Sequence, residues 1–172
     1  HMPLEQRAAQ IREVVTESVK AHEISDVEVG SFLSGGIDSS VIAALSRPDK
    51  TYSVGFANKD FDETGEAKAL CQELGLRNIS KTISAQEFFD ALPAVQYYAD
   101  EPNANLSTVP LYFLSQLAAK DVKVVLSGEG ADELFGGYIT YHTTRAGGVY
   151  GKTPLAGRKA VAAWAAKRKR FH

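Results

Sequence analysis

The sequence predicts an α/β protein in which a parallel sheet carries helices on both faces. Short apolar or β-branched runs predict strands, at residues 27–33, 51–56, 78–83 and 122–126. Segments with helical periodicity alternate with these runs, at residues 38–47, 62–75, 84–99 and 107–120. Such alternation is typical of parallel sheets, because the crossover between two parallel strands usually contains a helix. A chain of 172 residues, 44% of them hydrophobic, is long enough for one substantial core.

An amphipathic helix is predicted before the first strand. The segment from Leu4 to Ala21 has helical spacing, and its apolar residues share one face: Leu4, Ala8, Ile11, Val14, Val15 and Val19. We interpret His1-Met2 as a remnant of cloning and exclude these residues from the fold.

A glycine-rich turn, Ser34-Gly35-Gly36-Ile37-Asp38-Ser39-Ser40, connects the first strand to the next helix. Backbone N–H groups at the start of a helix bind anions, and glycines allow a phosphate to approach the backbone closely. Asp38 beside a phosphate requires a cation between them, which indicates a nucleotide bound with Mg²⁺. No Lys follows the glycines, so this is not a GxxxxGK(S/T) loop, and γ-phosphate transfer of the kinase kind is not implied. The alternative is an ordinary turn in which Ser39 or Asp38 caps the helix.

Phosphate binding at this turn is expected to depend more on Gly36 than on any one serine. A branched side chain at Gly36 would obstruct close approach, and any left-handed conformation there would be strained. Loss of the Ser40 hydroxyl removes one donor among several.

A second motif follows the last predicted strand. It reads Ser127-Gly128-Glu129-Gly130-Ala131-Asp132-Glu133-Leu134-Phe135-Gly136-Gly137-Tyr138, again a Ser-Gly pair and then carboxylates at a helix start. Ligands of parallel α/β sheets bind at the carboxyl ends of strands, so both motifs are expected to line one crevice. The alternative for Glu129 and Glu133 is favourable placement of carboxylates beside a helix dipole.

Together the two motifs resemble the synthetase domain of asparagine synthetases. The first is similar to the pyrophosphate-binding loop (PP-loop) of ATP pyrophosphatases, and the second also resembles the related β-lactam synthetase. Further similarity lies in Tyr52-Ser53-Val54-Gly55-Phe56, in Asp62-Glu63 and in the segment from Glu101 to Pro110. The resemblance covers residues 3–141, and residues 142–172 are interpreted as a basic helical tail that begins the remainder of the domain.

The resemblance implies an adenine nucleotide alpha hydrolase-like (PP-loop ATPase) fold that uses ATP and Mg²⁺. It implies activation of the aspartate side chain as β-aspartyl-AMP, release of pyrophosphate, and attack by ammonia to give asparagine. Donors to the phosphates would be Ser34, Gly35, Gly36, Ser39 and Ser40. Asp38 and Asp132 would share Mg²⁺, and Glu129 would assist formation of the intermediate. The nucleoside pocket would be lined by Leu33, Val54, Ser127 and Gly128.

The chain also departs from this family pattern. No N-terminal glutaminase domain with a leading Cys is present, and neither the distal Arg-x-Pro-Phe segment nor the downstream phosphate-contacting Lys occurs after Tyr138. We therefore expect a fragment that carries the nucleotide-binding core and is inactive alone. Its substrates would be ATP, aspartate, and ammonia or glutamine through the absent domain. The alternatives are a β-lactam synthetase-like adenylating enzyme and a non-catalytic adenine-nucleotide-binding module.

The tail combines positive charge with apolar residues. It contains no Asp or Glu and eight basic residues: Arg145, Lys152, Arg158, Lys159, Lys167, Arg168, Lys169 and Arg170. Such a cluster is also found in nucleic-acid-binding proteins. We favour packing against other protein sequence, because Ala160, Val161, Trp164 and Ala165 form a stripe at helical spacing. An exposed stripe of this kind is expected to promote formation of a homo-oligomer.

The remaining features concern compartment and core. No apolar run approaches the ~20 residues of a membrane span, and a single cysteine fits a reducing cytoplasm. Cys71 is predicted to be a small buried hydrophobe, and the four histidines have no metal-ligand spacing.

Three further segments carry local predictions. The pairs Phe88-Phe89 and Tyr97-Tyr98 are expected in the core, and the segment from Asp100 to Pro110 is expected to be a loop. Asp62-Glu63 is either a helix cap or a contact near the nucleotide.

Overall fold

One parallel sheet organises the computed structural model, which describes residues 2–58, 62–141, 148 and 151–167. Its strands are β1 (Val29–Phe32), β2 (Lys50–Phe56), β3 (Arg77–Ile83) and β4 (Val124–Leu126). They lie in the order β3-β2-β1-β4, and each neighbouring pair is parallel. The chain moves outward from β1 through β2 to β3 and then returns to the other side of β1. Strand order therefore reverses between β1 and β4, which is where open α/β sheets bind ligands.

Helices precede, separate and follow the strands. They are α1 (Leu4–His22), α2 (Ile37–Ser46), α3 (Thr64–Leu74), α4 (Ala85–Tyr98), α5 (Thr108–Ala118), α6 (Ala131–Phe135) and α7 (Leu155–Lys167), with a 3-10 turn at Ile139–Tyr141. The chain divides into two compact units, His1–Glu129 and Gly130–His172. The first contains α1 to α5 and the whole sheet, and the second contains α6 and α7. The predicted strands and helices of the first unit are confirmed within a few residues at each end.

An apolar core fills the side of the sheet covered by α4 and α5. Its buried residues are Ile83, Ala91, Val95, Val109 and Phe113, with Val54 and Phe56 of β2 packed against them. Tyr52, Ala118 and Val122 form a second buried group on the same side. We call this side of β2 the apolar face.

The opposite side of the sheet, covered by α2 and α3, buries smaller and more polar residues. Leu33, Ala43, Ala67 and Cys71 form its apolar cluster. Thr51 and Ser53 of β2 are fully buried beside them, and the Thr51 hydroxyl lies 3.2 Å from the Cys71 sulfur. We call this side of β2 the polar face. Cys71 is confirmed as a small buried residue.

The predicted loop from Asp100 to Pro110 overlaps the helix predicted at residues 107–120, and the structure follows the helix. Helix α5 begins at Thr108, so the last three residues of the predicted loop are helical. Pro110 is tolerated there because the N–H groups in the first turn of a helix have no acceptor within the helix, so the missing N–H of a proline costs no hydrogen bond. The loop is ordered by the Gln96 side chain, which accepts from the Asn103 N–H at 2.9 Å and donates to its carbonyl at 2.7 Å.

The prediction that both aromatic pairs of α4 are buried is wrong. Phe88 packs against the apolar core, but Phe89, Tyr97 and Tyr98 are exposed. The helix has room for one buried side, and Ala91 and Val95 occupy it. The exposed Tyr98 ring stacks on Tyr112 with centroids 6.2 Å apart. The periodicity of the sequence indicated a helix, but it did not indicate how much of the helix surface other elements bury.

The two ends of the chain also expose apolar residues. In α1 only Val19 of the predicted face is buried among the described residues. In α7 Ala160 and Trp164 are exposed, whereas the side chains of Val161 and Ala165 lie outside the described part of the chain. Basic residues Arg145 and Arg168 to Arg170 also lie outside it.

Candidate nucleotide-binding site

The candidate site begins where β1 ends and α2 starts. Gly36, in an extended conformation, precedes the first helical residue, and the first helical hydrogen bond runs from the Ser40 N–H to the Gly36 carbonyl at 3.1 Å. The N–H groups of Ile37, Asp38 and Ser39 therefore have no acceptor within the helix. Added to the positive end of the helix dipole, they form a suitable site for an anion at the carboxyl edge of the sheet.

Two serine hydroxyls hold the turn in shape. The Ser39 Oγ accepts from the Ser34 N–H at 3.2 Å and donates to the Gly36 carbonyl at the same distance. The Ser34 Oγ lies 3.0 Å from the Ser39 Oγ and accepts from the Gly36 N–H at 3.2 Å. Neither Ser39 nor Asp38 caps α2 through its side chain, so the simple capping alternative is not what the structure contains. Ser39 is buried, whereas Ser34 is exposed.

Gly35 is the glycine of this turn that needs its conformational freedom. Its φ is +92°, and a Cβ there would lie 2.8 Å from the Glu66 Cβ and 3.1 Å from the Glu63 carbonyl oxygen of the α3 start. Gly36 has a φ of −68°, and a Cβ there would meet only the Ser34 hydroxyl, at 3.3 Å. The left-handed strain considered for Gly36 therefore does not arise at that residue, because the turn places this conformation one residue earlier.

The second Ser-Gly pair reaches the same edge of the sheet. β1 and β4 are neighbours, with Ser31 paired to Leu126, so Ser127 and Gly128 follow directly beside the turn. A Cβ on Gly128 would lie 2.7 Å from the Ser39 nitrogen and 2.8 Å from the Asp38 carbonyl carbon. Only a glycine permits this approach to the first turn of α2. The Ser127 Oγ accepts from the Glu129 N–H at 3.4 Å.

Two of the four residues expected in a nucleoside pocket, Leu33 and Val54, project to different sides of the sheet. Leu33 is 1% exposed and packs among Ala43, Ala67 and Cys71. Val54 is half-buried against the apolar core. Any contact between Leu33 and a nucleoside would therefore involve its backbone.

The predicted carboxylates are divided between the two units. Asp38 is exposed in the first turn of α2, and its carboxylate has no hydrogen bond or ion pair among the described residues. Glu129 is exposed at the end of the first unit, and Asp132 lies in α6 of the second. The described residues contain no group of three or more His, Cys, Asp or Glu suited to a metal ion. The sharing of Mg²⁺ by Asp38 and Asp132 stays a prediction.

Within the second unit the carboxylate motif forms a short helix. Gly130 and Gly136, with φ of +90° and +70°, bound α6 at its two ends. The Tyr138 hydroxyl donates to the Glu133 carboxylate at 2.8 Å. This hydrogen bond and the charge of Glu133 raise the pKa of Tyr138 to about 12. The Glu133 side chain therefore has a partner within its own unit.

Asp62 caps the region where α3 begins. Its Oδ1 accepts from the Thr64 hydroxyl at 2.8 Å and from the Thr64 N–H at 3.2 Å. This supports the capping alternative for Asp62. Glu63 is exposed, but its carbonyl lies near Gly35.

Sequence reasoning missed the polar residues beneath the turn. Ser53 is 1% exposed, and its Oγ donates to the Leu33 carbonyl at 2.6 Å. The indication available in the sequence was the alternation of Thr51 and Ser53 in a strand expected to be buried, because parallel strands are usually continuously apolar.

This strand order, with a glycine-rich turn at the carboxyl edge of the sheet, defines an α/β domain with the adenine nucleotide alpha hydrolase-like fold. A glutamine-dependent NAD+ synthetase from Acinetobacter baumannii, solved in complex with ADP, has a similar fold, with a TM-score of 0.53 and 20% identity. That similarity covers 76% of this chain and 27% of the synthetase. Residues 10–171 match the model of the asparagine synthase family, and the chain belongs to that family.

Curated relatives agree with this assignment. The chain is 49% identical over 136 residues to asparagine synthetase [glutamine-hydrolyzing] 1 of Bacillus subtilis (strain 168), covering 77% of this chain and 22% of the relative. It is 30% identical over 152 residues to asparagine synthetase B of Escherichia coli (strain K12), covering 77% of this chain and 27% of the relative. These relatives are ligases, and the chain spans about a quarter of their length. Of the helices described, none has the length and apolar character needed to cross a bilayer.

Proposed function

We propose that this chain binds ATP and supplies the nucleotide-binding part of an asparagine synthetase. The observation that carries the proposal is the uncapped first turn of α2, whose N–H groups have no acceptor in the helix, with Gly128 packed closely against the same turn. Membership of the asparagine synthase family supports the same conclusion, because the match extends over residues 10–171. We also propose a reducing, cytoplasmic location, because the one cysteine of the chain is buried and forms no disulfide.

The proposed reaction has two steps. A carboxylate oxygen of aspartate attacks the α-phosphorus of ATP, and the bond to pyrophosphate breaks, giving β-aspartyl-AMP. Ammonia then attacks the acyl carbon, AMP leaves, and the nitrogen loses a proton. In the first step negative charge builds on the departing pyrophosphate. The N–H groups at the start of α2 would stabilise that charge, because preorganised donors need no reorientation during the reaction.

The donor chemistry of Asp38 fits Mg²⁺. Its carboxylate is exposed, lies beside the free N–H groups and has no partner among the described residues, and hard oxygen ligands are those Mg²⁺ prefers. When bound, the ion would offset charge on the phosphates. Asp132 as a second ligand and Glu129 as an aid to formation of the intermediate belong to the same proposal.

Calorimetry on the Asp38→Asn variant tests the proposal. We expect Mg-ATP to bind more weakly by on the order of 2–4 kcal/mol, roughly 30- to 1,000-fold, while metal-free AMP changes much less. The matched control is Asp26→Asn, which alters an exposed carboxylate that precedes β1 at the other edge of the sheet. Equal losses for AMP and Mg-ATP would count against a metal at Asp38.

Pyrophosphate exchange tests the acceptor. With the full-length protein, we expect exchange that depends on aspartate and not on larger carboxylates. Preference for a larger carboxylate would favour a β-lactam synthetase-like enzyme. Nucleotide binding without any exchange would favour a non-catalytic module.

The chain tested alone has a separate expectation. We expect it to bind adenine nucleotide weakly and to form no detectable asparagine when aspartate, Mg-ATP and ammonia are supplied. Turnover by the 172-residue chain would contradict this expectation.

A further inference from the structure

A buried hydrogen bond connects β2 to the residue that precedes the glycine-rich turn. The β1–β2 ladder pairs Ser31 with Thr51 and Phe32 with Tyr52, and the Leu33 N–H donates to the Tyr52 carbonyl at 2.9 Å. Beyond that point β1 leaves the sheet. The Ser53 hydroxyl then donates to the Leu33 carbonyl at 2.6 Å. Both polar groups of Leu33 are thereby held, at a residue that is itself 1% exposed.

Asn78 of β3 determines where the Ser53 proton points. Its Nδ2 donates to the Ser53 Oγ at 2.9 Å and to the Thr51 Oγ1 at 3.0 Å. A serine hydroxyl has one proton. Because Asn78 supplies a donor to the oxygen, the Ser53 proton remains available for the Leu33 carbonyl.

The opposite orientation of the Asn78 amide would undo this arrangement. With Oδ1 toward Ser53, the hydroxyl would donate to the amide oxygen and release the Leu33 carbonyl. In the observed orientation Asn78 Oδ1 is buried and receives no hydrogen bond from the described residues. A buried acceptor without a hydrogen bond carries an unfavourable free energy of desolvation, which the two hydrogen bonds donated by Nδ2 offset.

We propose that Ser53 and Asn78 are positioning residues that set the geometry of the phosphate-binding turn. They act through the Leu33 carbonyl, which directly precedes Ser34. Their effect on nucleotide affinity rests on the proposed function, because the turn must bind phosphate for its geometry to matter. Their effect on the turn itself does not.

The chain offers a matched control within the same network. Thr51 is equally buried and receives the other N–H of Asn78, but its hydroxyl donates to the Arg77 carbonyl at 3.3 Å, away from the turn. Thr51→Val therefore removes a buried hydroxyl of the network and leaves the bond to Leu33 in place. Ser53→Ala removes that bond.

The first experiment measures amide hydrogen exchange in the nucleotide-free protein. The probes are the N–H groups of Ser34 and Gly36, which donate within the turn. We expect Ser53→Ala to accelerate their exchange about tenfold, as the loss of one buried hydrogen bond implies. We expect Thr51→Val to leave them within about twofold of the wild type. Equal acceleration in both variants would overturn the proposal.

The second experiment compares ligands. Ser53→Ala should raise the Kd for ATP and for free pyrophosphate about tenfold and leave that for adenosine nearly unchanged. Weakening of adenosine and pyrophosphate alike would contradict a role at the turn. A wild-type chain that binds neither ATP nor pyrophosphate would contradict the proposed function, and the exchange experiment would still decide the positioning role.

A second variant protects the test against misfolding of the first. Asn78→Asp keeps the shape of the side chain but removes both N–H donors. The Ser53 hydroxyl should then donate to the carboxylate, and the turn should respond as it does to Ser53→Ala. Turn amides that exchange at the wild-type rate in folded Asn78→Asp would overturn the role given to Asn78.

Discussion

The apolar and polar faces of β2 bury comparable parts of one strand with different chemistry. Tyr52 and Val54 on the apolar face contact hydrophobic side chains of the α4 and α5 layer. Thr51 and Ser53 on the polar face make hydrogen bonds to a sulfur, an amide and backbone carbonyls. The candidate site lies beside the polar face at the carboxyl edge. The difference indicates that one face stabilises the fold while the other orients the turn.

Magnitudes support this division. Burial of a large apolar side chain contributes about 1.5–3 kcal/mol, whereas one intramolecular hydrogen bond contributes about 0.5–1.5 kcal/mol net. Hydrogen bonds have directions, which hydrophobic contacts lack. The polar face is therefore the weaker contributor to stability and the stronger determinant of where the Leu33 carbonyl lies.

Truncation in the apolar core that covers the apolar face should have the largest effect. Phe113 is 8% exposed in the apolar core. We expect Phe113→Ala to lower the free energy of unfolding by about 3–5 kcal/mol, because it removes transfer energy and leaves a cavity. Urea denaturation measures this loss, and the nucleotide affinity of the remaining folded protein should not change. In the matched control Phe89→Ala, at an exposed ring, we expect a change within about 0.5 kcal/mol. Similar losses in the two variants would contradict the assignment of the core.

Substitution at the turn should have the next largest effect and should act on binding. We expect Gly35→Ala to cost about 1–3 kcal/mol through left-handed backbone strain. Its Cβ also meets the start of α3, so phosphate affinity should fall sharply in calorimetric titrations with pyrophosphate. Gly36→Ala, at a φ of −68°, is the control and should be milder. The reverse order of severity would show that the turn adopts another conformation.

Alkaline pH should weaken the apolar face through Tyr52. Burial, and then the charge and hydrogen bond of Asp121, raise the pKa of Tyr52 from its ordinary value of 10 to about 12. A raised pKa means that the neutral phenol is favoured in the folded state. This stabilisation is complete below the unfolded pKa and is lost as pH rises toward about 12. The free energy of unfolding, measured by denaturation at several alkaline pH values, should therefore fall less steeply with pH in Tyr52→Phe than in the wild type. An identical alkaline dependence in both proteins would rule out this contribution.

The smallest effect is expected at the start of α4. The Ser84 N–H at 2.8 Å, and then Lys81 at 3.1 Å, lower the pKa of the Glu87 carboxyl in this capping box. A lowered pKa stabilises the folded state above the unfolded pKa, and the contribution is lost as pH falls through the folded value. Glu87→Gln should therefore reduce the loss of thermal stability in mild acid. Glu73→Gln, at an exposed glutamate of α3 without a hydrogen bond among the described residues, is the control and should leave the acid dependence as it is.

Local pattern in the sequence was sufficient for the elements and for the place of both Ser-Gly motifs. The periods of strands and helices depend on residues a few positions apart, so β1 to β4 and α1 to α5 were predicted near their observed bounds. Position at a strand end then follows from chain order. The family resemblance rested on the same contiguous residues and is confirmed.

Long-range packing alone decided the details of the candidate site. Gly35 rather than Gly36 is left-handed where the turn passes the start of α3, a segment distant in the chain. Gly128 contacts Ser39 because β4 pairs with β1, and Ser53 reaches the Leu33 carbonyl because of the register between β1 and β2. The exposure of Tyr97 and Tyr98 likewise depends on how much of α4 the α5 layer covers. Each of these outcomes results from contacts between distant segments, which periodicity and composition do not encode.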